Sequence, residues 1–206
     1  KSTLGRLMVG LDRPDEGQIF LGEEELTKLS SKELRARRSS MQMIFQDPVT
    51  SLDPRWSIEA IVREPLDNFR IGTTTERKEK VIQLLERVGI RADQAERYPH
   101  ELSGGQCQRV GIARALALSP HVIVADEPVS ALDVSVRAQV VNLLSDLRDD
   151  MGLALLFISH DIGLVAHVSD RIAVMYLGEI VEIGDTSQVL NDPKHPYTMG
   201  LLDAAP

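Results

Sequence analysis

The stretch Leu102–Asp133, LSGGQCQRVGIARALALSPHVIVADEPVSALD, decides how the rest of the 206-residue chain is read. It opens on Ser103-Gly104-Gly105-Gln106, where two positions without side chains let a backbone approach a ligand closely. Directly behind, Val110, Ile112, Ala113, Leu116 and Ala117 recur at helical spacing and predict a helix that stops by Pro120. A helix opened by two glycines points its free N–H groups and the positive end of its dipole the same way, which makes an anion site. The apolar run Val122-Ile123-Val124-Ala125 predicts a buried strand that delivers two adjacent carboxylates, Asp126 and Glu127, at its C-terminal end. Carboxylates there hold Mg²⁺ and position water in phosphoryl-transfer sites. Taken singly, each piece has a plainer reading: Ser-Gly-Gly as a turn, the apolar run as a capped strand. Order and spacing carry the case.

Downstream, Ser130-Ala131-Leu132-Asp133 leads into a predicted helix, Val136–Leu147, with Val140, Val141, Leu144 and Leu147 inward and Gly152 as its breaker. Leu153–Ile158 predicts a second buried strand, ending at Ser159-His160-Asp161. Ile172–Met175 and Glu179–Ile183 flank Leu177-Gly178 and predict a hairpin, and a short helical pattern follows around Val189 and Leu190. Upstream, Lys1-Ser2-Thr3 precedes a short helical pattern through Leu4, Leu7, Met8 and Leu11. Gln18–Leu21 predicts a strand, Ser30-Ser31 with Glu33 a helix start, and Met41–Phe45 a strand ending at Gln46. From Asp47 to Pro99 the character turns helical: Asp53-Pro54 and Glu64-Pro65 mark turns flanking one helix, and Glu76–Val88 carries Val81, Leu84, Leu85 and Val88 on one stripe.

Together these segments resemble the ATP-binding subunits of ABC transporters: the signature motif at Ser103–Gln106, Walker B at Asp126-Glu127, the D-loop at Ser130–Asp133, the Q-loop at Gln46 and the H-loop at His160. Lys1-Ser2-Thr3 resembles the last three residues of a Walker A motif. The resemblance implies an α/β fold, a P-loop NTPase (RecA-like) core with a mostly parallel sheet and an inserted α-helical subdomain. It divides the chain into a discontinuous core, 1–46 and 119–190, a helical and signature subdomain, 47–118, and a tail, 191–206. It also implies that the first strands and the P-loop glycines are missing, leaving sheet edges bare. Each lost phosphate bond is worth about 1.5–3 kcal/mol, so a chain beginning at Lys1 is expected to bind ATP weakly and to hydrolyse it slowly or not at all.

By the same resemblance ATP and Mg²⁺ are the cofactors. Lys1, Ser2, Thr3, Ser103, Gly104, Gly105, Gln106 and Asp133 contact nucleotide, and Ser2, Gln46 and Asp126 serve Mg²⁺. Glu127 acts as base on the attacking water, with His160 and Gln46 fixing the γ-phosphate and water. The partners are a second ATP-binding subunit, identical or paralogous, two transmembrane permeases docked on the inserted subdomain, and indirectly a periplasmic or extracellular solute-binding protein. That puts the chain peripherally on the cytoplasmic side of the cell membrane. YPHELSGGQ (Tyr98–Gln106), VSALDVSVRAQVVNLL (Val129–Leu144) and NDPKHPYTMGLL (Asn191–Leu202) resemble the peptide and nickel importer group, nearest to ATPases serving dipeptides, oligopeptides and glutathione. Nickel import, a soluble ABC ATPase and a catalytically dead regulatory cassette are the competing readings, and intact Glu127 and His160 weigh against the last.

Composition bounds these readings. A formal net charge of -8 argues against nucleic acid as the main partner, and the Arg35, Arg37, Arg38 cluster reads as a solvated helix face. The single Cys107 forms no internal disulfide and reads as a packing residue. No apolar run approaches the roughly 20 residues that cross a bilayer, and no signal peptide opens the chain. His100, His121 and His167 read as structural or surface residues, Trp56 as either docking surface or core, and His195 has no catalytic rationale.

Overall fold

The computed structural model describes residues 1–204, so the last two residues of the 191–206 tail lie outside the described residues. Helix α1 (Ser2–Met8) lies against the sheet through Gly5. A Cβ at Gly5 would sit 3.1 Å from Ile158 Cδ1 and 3.2 Å from Val124 Cγ1, so the missing side chain sets how closely the helix approaches. Strands β1 (Phe20–Leu21) and β2 (Glu24–Glu25) form a small antiparallel pair, shorter than the predicted Gln18–Leu21 strand. Helix α2 (Ser31–Arg37) begins with a capping box: Glu33 N–H donates to Ser30 Oγ at 3.4 Å and Ser30 N–H to Glu33 Oε2 at 2.9 Å.

Strands β3 (Met41–Ile44), β4 (Val122–Asp126) and β5 (Ala154–Ile158) form a parallel sheet in that order, with Met41 opposite Val122 and Val122 opposite Ala154. A central parallel strand covered on both faces needs a continuous apolar run, and β4 supplies it: Val124 and Ala125 are fully buried. Strand β5 differs from the prediction of a buried strand. Ala154 is exposed and Leu155 and Leu156 are half-buried, because β5 has a strand on one side only.

The chain between β3 and β4 forms α3 (Ile58–Phe69), α4 (Thr74–Arg87) and α5 (Gly104–Leu116). They pack on one another through Ile58, Val62 and Leu66, Val81 and Leu85, and Val110, Ile112 and Leu116. The expected turn at Glu64-Pro65 is absent, and α3 runs straight through it. Proline cannot donate the helical bond and its ring crowds the preceding turn. Here Ile61 and Leu66 on either side are buried in the shared core, and that burial outweighs the lost bond. Arg63 pairs with Glu59 (2.8 Å) and Asp67 (3.1 Å), and Arg77 of α4 reaches the same Asp67 at 2.7 Å, clipping α3 to α4.

After β4 comes α6 (Val134–Met151), which buries Val140, Val141, Leu144 and Leu147 and closes at Gly152 in a left-handed conformation, φ 62°. Helix α7 (Ile162–Val168) follows β5, with Asp161 accepting the Leu164 N–H at 3.1 Å. Strands β6 (Arg171–Tyr176) and β7 (Glu179–Asp185) make an antiparallel hairpin turned by Leu177 and Gly178. Helices α8 (Thr186–Asn191) and α9 (Pro196–Asp203) end the described chain. The hairpin does not join the parallel sheet, and the facing edges of β5 and β6 border a groove of about 470 Å³ with Lys1 on its lining. No helix among the described residues is long and apolar enough to cross a membrane.

Candidate functional site

Strand β4 carries Asp126 inward at its C-terminal end, 5% exposed, with Oδ1 buried and without a hydrogen-bond partner among the described residues. Asp126 lines a cavity of about 700 Å³ which Ser2 of α1 and Gln46 after β3 also line. A buried carboxylate oxygen without a donor is costly unless a cation or water reaches it. Among the described residues no cluster of three His, Cys, Asp or Glu side chains could hold a metal alone. One carboxylate beside neutral oxygens fits Mg²⁺, which keeps waters and takes its remaining ligands from substrate phosphates. Ser2, Gln46 and Asp126 therefore fit the ion the sequence implied.

Glu127 turns the chain sharply. Its φ is 46°, a left-handed conformation that costs a non-glycine residue about 1 kcal/mol or more. Three contacts hold it there: its N–H donates to Ile158 O at 2.9 Å, and its carbonyl accepts the Ser130 N–H at 3.2 Å and the Ser130 hydroxyl at 3.0 Å. The carboxylate consequently faces His160, with Oε2 3.1 Å from Nδ1. In the tautomer carrying hydrogen on Nδ1 the ring donates to Glu127, and Nε2 has no partner among the described residues. Lys1 is next to this pair, its Nζ donating to Ser159 O at 2.9 Å.

The glycine-led helix start forms a second group. Ser103 Oγ accepts the Gln106 N–H at 3.3 Å while Gln106 Oε1 accepts the Ser103 N–H at 3.0 Å. Gly105 lies so close to α6 that a Cβ would fall 2.4 Å from Val136 Cγ1, and one at Gly104 would meet Leu132 Cδ2 at 3.7 Å. The start of α5 is thus packed beside the 130–133 loop. Asp133 heads α6 without using its carboxylate as a cap. Neither the cavity at Asp126 nor the groove at Lys1 is lined by any of Ser103–Gln106 or Asp133. Thr3 is exposed on α1, outside both linings.

Two arginines escaped the sequence reading. Arg114 of α5 sits among buried Ala113 and Ala115 and donates through Nη1 to Ser51 O at 2.7 Å; burial lowers its pKa and nearby Glu64 partly offsets this. A charge inside an apolar helix face was the available signal. Arg137 donates through Nε to Leu132 O at 2.8 Å and through Nη2 to Ser130 O at 3.4 Å, and its signal was a cation in the first turn of a helix. Of the remaining candidates, Cys107 is fully buried with its thiol pKa raised by burial, His100 stacks on Tyr98, His167 meets Asn142 Oδ1 at 3.2 Å, and Trp56 is 41% exposed. His195 caps α9, its Nδ1 accepting the Tyr197 N–H at 3.1 Å.

A parallel sheet presenting Asp-Glu at the end of a buried strand, beside a helix opened by Lys-Ser, has the fold of a P-loop NTPase core. The family model described as ABC transporter matches residues 1–130, and the chain belongs to that family. A second model, described as the C-terminal region of oligopeptide/dipeptide transporters, matches 181–206. Among curated relatives, the oligopeptide transport ATP-binding protein AppF of Bacillus subtilis is 51% identical over 207 residues, covering 100% of this chain and 63% of that protein. The oligopeptide transport ATP-binding protein OppF of Escherichia coli is 50% identical, covering 100% of this chain and 62% of that protein. The chain thus spans less than two thirds of the length of these relatives. Among solved structures, the dimeric post-hydrolysis state of the ATP-binding cassette MJ0796 bound to ADP and Pi superposes with a TM-score of 0.80 at 30% identity, covering 90% of this chain and 80% of that one. CbiO1 from Clostridium perfringens, part of the ABC transporter complex cbiONQ, gives 0.83 at 29% identity, covering 93% and 74%.

Proposed function

We propose that this chain is the ATP-hydrolysing part of an ABC importer for peptides of the dipeptide, oligopeptide or glutathione kind, working on the cytoplasmic side of the membrane. The observation that carries the reading is the junction at the end of β4: a buried Asp126, one oxygen unpartnered among the described residues, lining one cavity with Ser2 and Gln46, and next to it a Glu127 carboxylate aimed at His160. In this reading Ser2, Gln46 and Asp126 hold Mg²⁺, which when bound neutralises the phosphates. Lys1 swings from Ser159 to the β- and γ-phosphates. Glu127 accepts the proton of the attacking water, while His160 and Gln46 orient that water and the γ-phosphate. Ser103, Gly104, Gly105 and Gln106, with Asp133 beside them, close over the nucleotide held by a second ATP-binding subunit. Loss of the γ-phosphate opens the pair, and the 47–118 subdomain passes that motion to two membrane permeases fed by a solute-binding protein.

The similarity of residues 181–206 to the oligopeptide/dipeptide transporter region, and the printed names of the relatives, support the peptide class. The test is Glu127→Gln in the full-length subunit: ATP binding stays within a few-fold of the parent while turnover falls by orders of magnitude, measured by calorimetry and phosphate release. Turnover near the parent rate contradicts the assignment of the base. Co-purification with two permeases, and a peptide recovered from the solute-binding partner, test the transport assignment separately.

A further inference from the structure

The first turn of α6 holds a cation where the helix dipole disfavours one, contains no acidic residue, and leaves its N-cap Asp133 without a capping bond. What fastens the loop instead is Arg137. Its guanidinium turns back over the helix start and takes two carbonyls of the preceding loop, Leu132 O at 2.8 Å and Ser130 O at 3.4 Å. Ser130 in turn donates its N–H and hydroxyl to the carbonyl of Glu127, the residue held at φ 46° whose carboxylate meets His160. Hydrogen bonds therefore tie α6 through the 130–133 loop to the main-chain carbonyl of Glu127, the residue that carries the carboxylate at the end of β4. The planar guanidinium, with donors fixed in a fork, suits two carbonyls two residues apart, and a lysine offers a single point charge there.

We propose that Arg137 is a positioning residue for hydrolysis: it locks the 130–133 loop, frees the Asp133 carboxylate from capping so that it faces outward, and through Ser130 sets where Glu127 points. This rests on Glu127 being the base. Arg137 lines neither the cavity at Asp126 nor the groove at Lys1 and spends its guanidinium on loop carbonyls, so its loss displaces the base without removing a phosphate contact. The test uses the full-length subunit carrying Arg137→Ala, Arg137→Lys or, as control, Glu127→Gln. For Arg137→Ala, kcat falls by roughly ten- to a hundredfold, the order expected for a misplaced catalytic group, while ATP affinity stays within about twofold. Amide exchange at Leu132 and Asp133 speeds up, Arg137→Lys recovers part of kcat, and added methylguanidinium raises kcat of the alanine variant alone. If Arg137→Ala and Arg137→Lys keep the parent kcat and exchange rates while Glu127→Gln abolishes turnover, the proposal is wrong and the hydrolytic reading stands. A Glu127→Gln variant with parent turnover removes the site itself, and the proposal with it.

Discussion

Asp126 and Glu127 are neighbours with opposite surroundings. The first ends a buried strand with an oxygen that no described residue satisfies, and the second leaves the strand through a strained backbone that throws its carboxylate toward His160. Both residue types and their place after an apolar run were legible in the sequence. The strain was not, because a left-handed glutamate is held by the turn to Ser130 together with Ile158 O, a partner on the neighbouring strand that the local sequence does not announce. At the same scale Gly105 is constrained by space. Alanine inside a helix ordinarily gains about 1 kcal/mol over glycine, but a methyl 2.4 Å from Val136 Cγ1 forces overpacking worth about 1–3 kcal/mol in the other direction. Gly105→Ala is therefore expected to lower the melting temperature, and adding Val136→Ala to recover most of it. A Gly105→Ala protein as stable as the parent would show that α5 and α6 are not held this close.

Among the elements, those with strong periodicity matched expectation and those governed by tertiary context did not. The stripes Val81, Leu84, Leu85, Val88 and Val140, Val141, Leu144, Leu147 are all buried, since each was a 3.6-residue pattern with charges opposite. Pro65 misled because a local breaker is overruled when both sides of it bury large side chains, and β5 misled because an apolar run does not say how many neighbours a strand has. The tail was legible only by resemblance, and the structure supplies its physics. The carboxyl of Glu182 on β7 is held below the ordinary glutamate range by Thr198, whose buried hydroxyl is near it but short of regular hydrogen-bond geometry, and by the N–H groups of Lys194 (2.8 Å) and His195 (3.1 Å). Tyr197 stacks on Tyr176 with centroids 4.2 Å apart. A depressed carboxylate stabilises the docked tail above its unfolded pKa, about 4.3, and that contribution is lost as pH falls through the folded value. Amide exchange at Lys194 and His195 should accelerate relative to the intrinsic rate as pH falls below the ordinary glutamate range, and Glu182→Gln should show the accelerated behaviour already at neutral pH. Equal protection in both proteins at pH 7 would separate the tail from this carboxylate.

For the whole molecule, the residues nominated for nucleotide fall into two groups: Lys1, Ser2, Gln46, Asp126, Glu127 and His160 around the end of the sheet, and Ser103–Gln106 with Asp133 where α5 meets α6, which line neither the cavity at Asp126 nor the groove at Lys1. In the proposed function a single copy offers ATP one half of a pocket, a second copy or a paralogue supplies the other half, and nucleotide is the adhesive. Sedimentation velocity of the full-length Glu127→Gln subunit, with and without ATP, reads this out. The expected result is a monomer alone, a dimer when ATP is added, and a monomer under both conditions once Ser103→Arg is introduced to block the facing phosphate. A subunit that binds ATP stoichiometrically yet stays monomeric, or a Ser103→Arg protein that dimerises undiminished, would contradict a pocket shared between two chains.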